Sequence, residues 1–131
     1  MYKKVFGKKL SRNRGSREAL FRSLIRSLVL GGKMETTKIK AKAIQGDVDK
    51  LLGLVAKDSL SNRRLVLSRL ANDKEVADKL FEMKPITEKR NSGFTRIINL
   101  PSRKGDNAPL ARIEFVDTLE KPKEKKEKET K

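Results

Sequence analysis

The sequence predicts an α+β fold in two layers, with about four helices packed on a small, two- to three-stranded mixed sheet. Apolar residues recur at helical spacing in four stretches between residues 16 and 85, and they alternate with polar residues, as in strands, between residues 94 and 116. We therefore expect a single compact domain over residues 16–117. An extended basic arm over residues 1–15 precedes it, and a disordered charged tail over residues 118–131 follows it.

The composition limits the chemistry that the chain can perform. It has 131 residues and a formal net charge of +16, from 33 Lys and Arg against 17 Asp and Glu, and it contains no His, Cys or Trp. Zinc ribbons, thiol nucleophiles, histidine-based acid–base catalysis and disulfide frameworks are therefore excluded. No stretch approaches the roughly 20 apolar residues that a membrane span needs, so we expect no contact with a membrane.

The first two helices follow from apolar stripes and capping residues. Ser16 is a suitable N-cap for a helix that the Gly31-Gly32 pair ends. Met34–Thr37 is a short extended piece, and Thr37 is a suitable cap for a second helix that ends near Asp58. The inward-facing residues are Ala19, Leu20, Leu24, Ile25, Leu28 and Val29 in the first helix and Ile39, Ala43, Ile44, Val48, Leu51, Leu52 and Val55 in the second.

The third and fourth helices are shorter. Ser61 opens a helix that runs to about Ala71, and Arg63 and Arg64 lie in its first turn, where cations oppose the helix dipole. An external anion or a neighbouring carboxylate would account for that placement. Asn72 and Glu75 form a capping-box pattern for a fourth helix, which Pro85 is expected to terminate.

Two strands follow the helices. They span residues 94–100 and 110–116, and the turn-forming segment Pro101–Pro109 joins them, which indicates an antiparallel pair with a structured loop. Ala111, Ile113 and Phe115 share one face of the second strand. Because two strands alone are marginally stable, Met34–Thr37 is a candidate third strand and the helices are expected to cover one face of the sheet.

The positive charge is concentrated at the start of the chain. Residues 1–40 contain 12 Lys and Arg and 2 acids, and residues 1–17 contain no acid. A segment of this composition repels itself unless it lies against a polyanion, so nucleic acid is the leading partner and a merely solubilising tail is the alternative. The final residues, 118–131, mix both signs, and we assign them no function.

Three blocks of residues resemble the bacterial ribosomal protein L17 family. The resemblance covers residues from about Lys9 to Asp117. The first block is Leu10-Ser11-Arg12, Arg17–Arg22, Ser27-Leu28 and Thr36-Thr37. The second is Asp58-Ser59, Asn62–Leu65, Val76-Ala77 and Leu80-Phe81. The third is Gly93–Ile97, Arg103, Gly105–Pro109 and Ile113–Asp117. The third block is the most specific because Gly-Asp-Asn-Ala-Pro is an uncommon loop, whereas Ser16 departs from the histidine that the family commonly has there.

The resemblance implies a structural constituent of the large ribosomal subunit, located in the cytoplasm. It further implies that the protein binds ribosomal RNA near the polypeptide exit tunnel, supports assembly and translation, and lies beside neighbouring ribosomal proteins. A protein of this kind would contact phosphates and 2′-hydroxyls rather than read sequence. By analogy with the family, we expect a set of lysines and arginines to contact RNA. They are Lys3, Lys4, Lys8, Lys9, Arg12, Arg14, Arg17, Arg22, Arg26, Arg63, Arg64, Arg96, Arg103 and Lys104.

Two other classes of function remain as alternatives. One is a basic DNA-binding protein of the nucleoid type, although the sequence shows no helix-turn-helix spacing. The other is a hydrolase or nuclease that uses Mg²⁺, which requires converging carboxylates. The close acid pairs, Asp47 with Asp49 and Glu75 with Asp78, are interpreted as solvated charges, and Gly105-Asp106-Asn107 as a turn. We expect no catalytic residue, metal, cofactor or small-molecule substrate.

Overall fold

The structure is a computed structural model, and it describes residues 8–117. In this part of the chain five helices and three strands follow one another, so the α+β prediction is confirmed with one helix more than expected. Their order is α1 (Arg14–Gly31), β1 (Lys33–Thr37), α2 (Lys38–Ala56), α3 (Leu60–Arg69), α4 (Lys74–Glu82), α5 (Lys84–Lys89), β2 (Thr95–Leu100) and β3 (Leu110–Phe115).

The helix caps differ from the prediction by one to three residues because several capping residues compete. Asn13, not Ser16, caps α1, and its side-chain oxygen accepts a hydrogen bond from the Ser16 backbone N–H at 2.9 Å. Ser59, not Ser61, caps α3. Asp73, not Asn72, caps α4. Asparagine, aspartate and serine are similarly good caps, so tertiary geometry selects among neighbours.

Pro85 begins a helix where the sequence predicts that it ends one. It lies at the start of α5, because proline fits the first helical turn, where its missing N–H has no intrahelical partner. Met83 lies between α4 and α5, ending one helix and starting the next. The chain therefore turns at Met83, two residues before the predicted end.

The sheet is antiparallel throughout rather than mixed. Its strand order is β1-β3-β2, and both outer strands pair antiparallel with the central strand β3. In the register Met34 lies opposite Ile113, and Ile97 lies opposite Ile113 from the other side. The predicted third strand from Met34–Thr37 is thus confirmed. The two edge strands run parallel to each other, but they are not neighbours, so no parallel pair forms.

The core lies between the helices and one face of the sheet. Ala111, Ile113 and Phe115 are buried on the inner face, as predicted. Helix α2 runs without a break and packs on this face. Its buried stripe is Ala41, Ile44, Val48, Leu51, Leu52 and Val55. No helix among residues 8–117 is long and apolar enough to cross a membrane.

Asp49 was interpreted from the sequence as a solvated charge, but in the structure it connects two elements of the fold. Its carboxylate accepts hydrogen bonds from the backbone N–H groups of Gly93 and Phe94, at 3.3 and 3.2 Å. One turn earlier on α2, the Gln45 side chain donates to the Thr95 carbonyl at 3.2 Å. These bonds attach α2 to the start of β2, where Phe94 is fully buried.

Candidate nucleic-acid interface

The start of α1 carries the first group of predicted RNA-binding residues. Lys8, Lys9 and Arg12 are exposed, and Arg17 is half-buried. The guanidinium of Arg12 donates to the Leu10 carbonyl at 2.8 Å, and that of Arg17 donates to the Arg12 carbonyl at 3.0 Å. Carbonyl partners orient these groups without neutralising them, and the N-terminal end of the helix dipole adds further positive potential. We call Lys8, Lys9, Arg12 and Arg17 the α1 basic patch.

Arg14 and Arg22 share a carboxylate along α1. Arg14 Nε donates to Glu18 Oε1 at 2.9 Å, and Arg22 lies 3.9 Å from the second Glu18 oxygen. The hydrogen bond from Arg14 lowers the pKa of Glu18. Arg22 also donates from Nε to the Arg69 carbonyl at 3.2 Å, which fixes α1 against the end of α3.

Arg26 joins two elements of the fold. Its guanidinium donates to the carboxylates of Asp73 and Glu75 at the start of α4, the Glu75 contact being 2.7 Å long. The hydrogen bond that Arg26 donates to Asp73 raises the pKa of Arg26 and lowers the pKa of Asp73. Arg26 is therefore committed to holding α1 against α4.

The two arginines of α3 have different environments. Arg63 Nε donates to Asp58 at 2.9 Å, lowering the pKa of that carboxyl, and its guanidinium lies 4.5 Å from the centre of the Phe81 ring. A neighbouring carboxylate thus accounts for Arg63. Arg64 is exposed and pairs with no carboxylate among the residues that the structure describes. Of the two, only Arg64 is free for an external anion.

The loop between β2 and β3 is closed by its own hydrogen bonds. Arg103 Nε donates to Asp106 at 3.1 Å, and the backbone N–H of Asn107 donates to the Arg103 carbonyl at 3.0 Å. The hydrogen bond from Arg103 lowers the pKa of Asp106 to about 2. Lys104 is left exposed at the tip. Gly105 has a positive φ of 107°, which supports the turn interpretation of this segment.

This loop rests on the start of α2. The Lys38 backbone N–H donates to the Pro109 carbonyl at 3.0 Å. The first turn of α2 contains no acid, and Lys38, Lys40 and Lys42 follow one another at alternate positions. Sequence reasoning missed these lysines, although cations that oppose the helix dipole were the signal used for α3. Lys38 and Lys42 are one helical turn apart on α2, and Lys104 lies on the loop that is attached there; we call these three lysines the loop–α2 basic patch.

The predicted residues therefore divide into two sets. Arg96 belongs with the paired ones, since its Nε donates to Glu114 at 2.7 Å. Lys3 and Lys4 lie outside the described residues. Within residues 8–117 the unpaired predicted cations are Lys8, Lys9, Arg12, Arg17, Arg64 and Lys104, and the cations with carboxylate partners are Arg14, Arg22, Arg26, Arg63, Arg96 and Arg103. In the same part of the chain, no group of three acids or other ligands could hold a metal ion.

Comparison with known proteins gives the same answer as the motifs. The family model described as Ribosomal protein L17 matches residues 20–116. The protein called large ribosomal subunit protein bL17 from Sulfurihydrogenibium sp. (strain YO3AOP1) is 45% identical over 119 residues, which cover 89% of this chain and 98% of that protein. Its counterpart from Persephonella marina (strain DSM 14350 / EX-H1) is 44% identical over 123 residues, covering 92% and 99%.

A third relative extends the agreement. The bL17 protein from Hydrogenobaculum sp. (strain Y04AAS1) is 48% identical over 119 residues, covering 89% of this chain and all of that protein. The family model spans most of α1, the other four helices, the sheet and the Gly-Asp-Asn-Ala-Pro loop. The chain therefore belongs to the ribosomal protein L17 family.

Proposed function

We propose that this chain binds large-subunit ribosomal RNA through the α1 basic patch, the loop–α2 basic patch and Arg64. Membership of the ribosomal protein L17 family makes it a structural constituent of the large ribosomal subunit, not an enzyme, and its location is the ribosome in the cytoplasm. The partners that follow are ribosomal RNA and other ribosomal proteins.

The observation that carries the proposal is the division of the cations into paired and unpaired sets. A cation already bound to a carboxylate gains less from a phosphate, because the existing ion pair must be broken or shared. Arg12 and Arg17 are held by backbone carbonyls instead, so their charge stays available in a fixed position. Each phosphate that such a group neutralises releases counterions and strengthens binding at low salt.

The proposed mode of binding is recognition of shape and backbone. The grooves of double-stranded RNA offer phosphates and 2′-hydroxyls rather than a readable base sequence, and lysine and arginine suit those groups. The loop–α2 basic patch fits this mode because its loop is rigidified by the Arg103–Asp106 pair while Lys104 remains exposed. The family supports a ribosomal partner over the nucleoid alternative.

Neighbouring ribosomal proteins have a candidate surface on the outer face of the sheet. Ile98 is 38% exposed there, and Arg112 opposite it donates to Glu35 at 2.8 Å. The solvent-accessible polar groups of this face, Arg112 and Glu35, are of the kind that form the rim of a protein–protein interface. We assign this face to protein contacts and the basic patches to RNA.

Two matched double variants test the RNA proposal. One replaces the unpaired Arg12 and Arg17 with glutamine, and the other replaces the paired Arg96 and Arg103 with glutamine, so each lowers the net charge by two. Binding to large-subunit ribosomal RNA is measured by fluorescence anisotropy across a range of salt concentrations. We expect the magnitude of the salt slope to fall by about 1.5–2 for the first variant and by less than about 0.5 for the second. Equal losses for both variants would show that only net charge matters.

A further inference from the structure

A cleft on the helical side of the molecule combines an apolar floor with charged walls. It has a volume of about 370 Å³ and lies between α1, α2 and the end of α3. Its apolar floor comes from the half-buried Phe21 and from the buried Ile25, Leu51 and Leu70, and charged groups surround that floor. The volume is in the lower part of the range for small-molecule sites, about 300–1,000 Å³, which suits one base rather than a larger group.

Cations outnumber carboxylates around the cleft. Three cations, Arg22, Lys50 and Arg69, face two carboxylates, Glu18 and Asp47. Arg69 makes no ion pair with any residue the structure describes, and its own carbonyl orients Arg22 by accepting a hydrogen bond from it. The cleft therefore keeps a surplus of positive charge that a phosphate would balance.

The two carboxylates differ in their availability. Glu18 is occupied by Arg14 at 2.9 Å and lies 3.9 Å from Arg22. Asp47 has only a distant partner, Lys50 at 4.0 Å, and its side chain is 43% exposed. Both Asp47 oxygens are consequently open acceptors at the edge of an apolar cleft. A carboxylate in that position can accept hydrogen bonds from the amino and imino groups of a base.

We infer that this cleft binds an unpaired guanine extruded from RNA, with the base packed on Phe21 above the buried Leu51 and Leu70 and its Watson–Crick edge on Asp47. Guanine carries adjacent N1–H and N2–H donors that match the two oxygens of one carboxylate, whereas uracil carries a single N3–H. Splayed bases of single-stranded RNA are commonly held by aromatic or guanidinium groups in this way. Arg69 and Lys50 take the adjoining phosphate.

Other occupants fit the cleft less well. An acidic peptide would meet Asp47 and Glu18 and leave the apolar surface uncovered. An apolar side chain from a neighbouring protein would cover that surface and leave the surplus cations, Arg69 above all, without a partner. A nucleotide is the ligand that satisfies the apolar surface, the acceptor and the cations together.

The inference rests on the proposed RNA binding and is tested separately from it. The full-length chain is titrated with two single-stranded heptamers, U₇ and U₃GU₃, and the methyl resonances of Ile25, Leu51 and Leu70 are followed by NMR. We expect U₃GU₃ to shift these resonances and to bind about tenfold more tightly than U₇, the difference that one bidentate base contact provides.

Asp47→Asn gives a result that charge alone cannot produce. This substitution raises the net charge by one, so non-specific attraction would tighten binding of both heptamers. The inference requires the opposite for U₃GU₃, a loss of most of the tenfold preference. The control is Asp78→Asn, the same change at an exposed position on α4, which should keep the preference.

The possible failures are distinguishable. Equal affinity for both heptamers with unmoved cleft resonances would overturn the guanine site and leave RNA binding in place. Tighter binding of both heptamers by the Asp47→Asn protein would overturn it as well. Absence of binding to either heptamer, while large-subunit ribosomal RNA is still bound in the anisotropy measurement, would also overturn the guanine site; absence of binding to that ribosomal RNA would contradict the proposed RNA binding itself.

Discussion

Replacing Asp49 with alanine is expected to destabilise the fold through the start of β2. The substitution removes both hydrogen bonds that the carboxylate accepts, from Gly93 at 3.3 Å and from Phe94 at 3.2 Å. Phe94 as a whole residue is only 1% exposed, so its backbone N–H has little water to replace the lost partner. Alanine at this position therefore leaves a donor unsatisfied near the core.

The expected size follows from these contacts. A hydrogen bond to a charged group contributes roughly 1.5–3 kcal/mol, and the two bonds here are long and partly exposed. We therefore expect the free energy of unfolding to fall by about 2–3 kcal/mol. With a urea m-value of about 1.5 kcal/mol/M, that loss lowers the midpoint of urea denaturation by about 1–2 M.

Asp47→Ala is the matched control for this stability measurement. Asp47 lies on the same helix two residues earlier, accepts no backbone hydrogen bond in the structure, and should change the free energy of unfolding by less than about 0.5 kcal/mol. Asp49→Asn keeps one acceptor oxygen and is expected to fall between the two. If Asp49→Ala were no less stable than Asp47→Ala, the proposed attachment of α2 to β2 would be wrong.

Three further predictions concern α4, the β2–β3 loop and the N-terminal segment. Asp73→Ala removes the α4 cap and a partner of Arg26. We therefore expect the midpoint of thermal unfolding to fall by about 4–8 °C. Asp73→Asn, which can still cap the helix, should restore most of the lost thermal stability. Because Arg103 lowers the pKa of Asp106 from 3.8 to about 2, the pair stabilises the loop above pH 3.8 and is lost as the pH falls through about 2. The Asp106 carboxyl carbon should therefore titrate near 2 in NMR and move toward 3.8 in Arg103→Gln; an ordinary midpoint in the unaltered protein would refute the pairing. Deletion of residues 1–12 leaves the Asn13 cap in place. It should weaken RNA binding and flatten the salt dependence of that binding, while the midpoint of thermal unfolding stays nearly unchanged. A large loss of stability would show that these residues support the core.

Local patterns predicted most of the fold because the forces behind them are local. The apolar stripe of α2 and the alternation of Ala111, Ile113 and Phe115 follow directly from helix and strand geometry. The helix starts were less certain, since Asn13 and Ser16 can both cap α1 and only one is positioned to do so. Pro85 was misjudged because proline both ends helices and begins them.

The candidate site was harder to predict because its chemistry depends on distant partners. Arg26 and Asp73 are 47 residues apart in the chain, and nothing near Arg26 in sequence reveals that its charge is engaged. The same is true of Arg96 and Glu114, which meet only through the pairing of β2 with β3. The cleft that contains Asp47 and Arg69 exists only after α1, α2 and α3 have packed.

RNA contacts are expected to hold this chain in the large ribosomal subunit as a built-in component. Sedimentation of a cell lysate through sucrose gradients in moderate and in high salt tests it directly. We predict that the chain migrates with large subunits in both and stays with them through the high-salt wash. A chain that remains at the top of the gradient, or that migrates with DNA, would contradict a built-in ribosomal role.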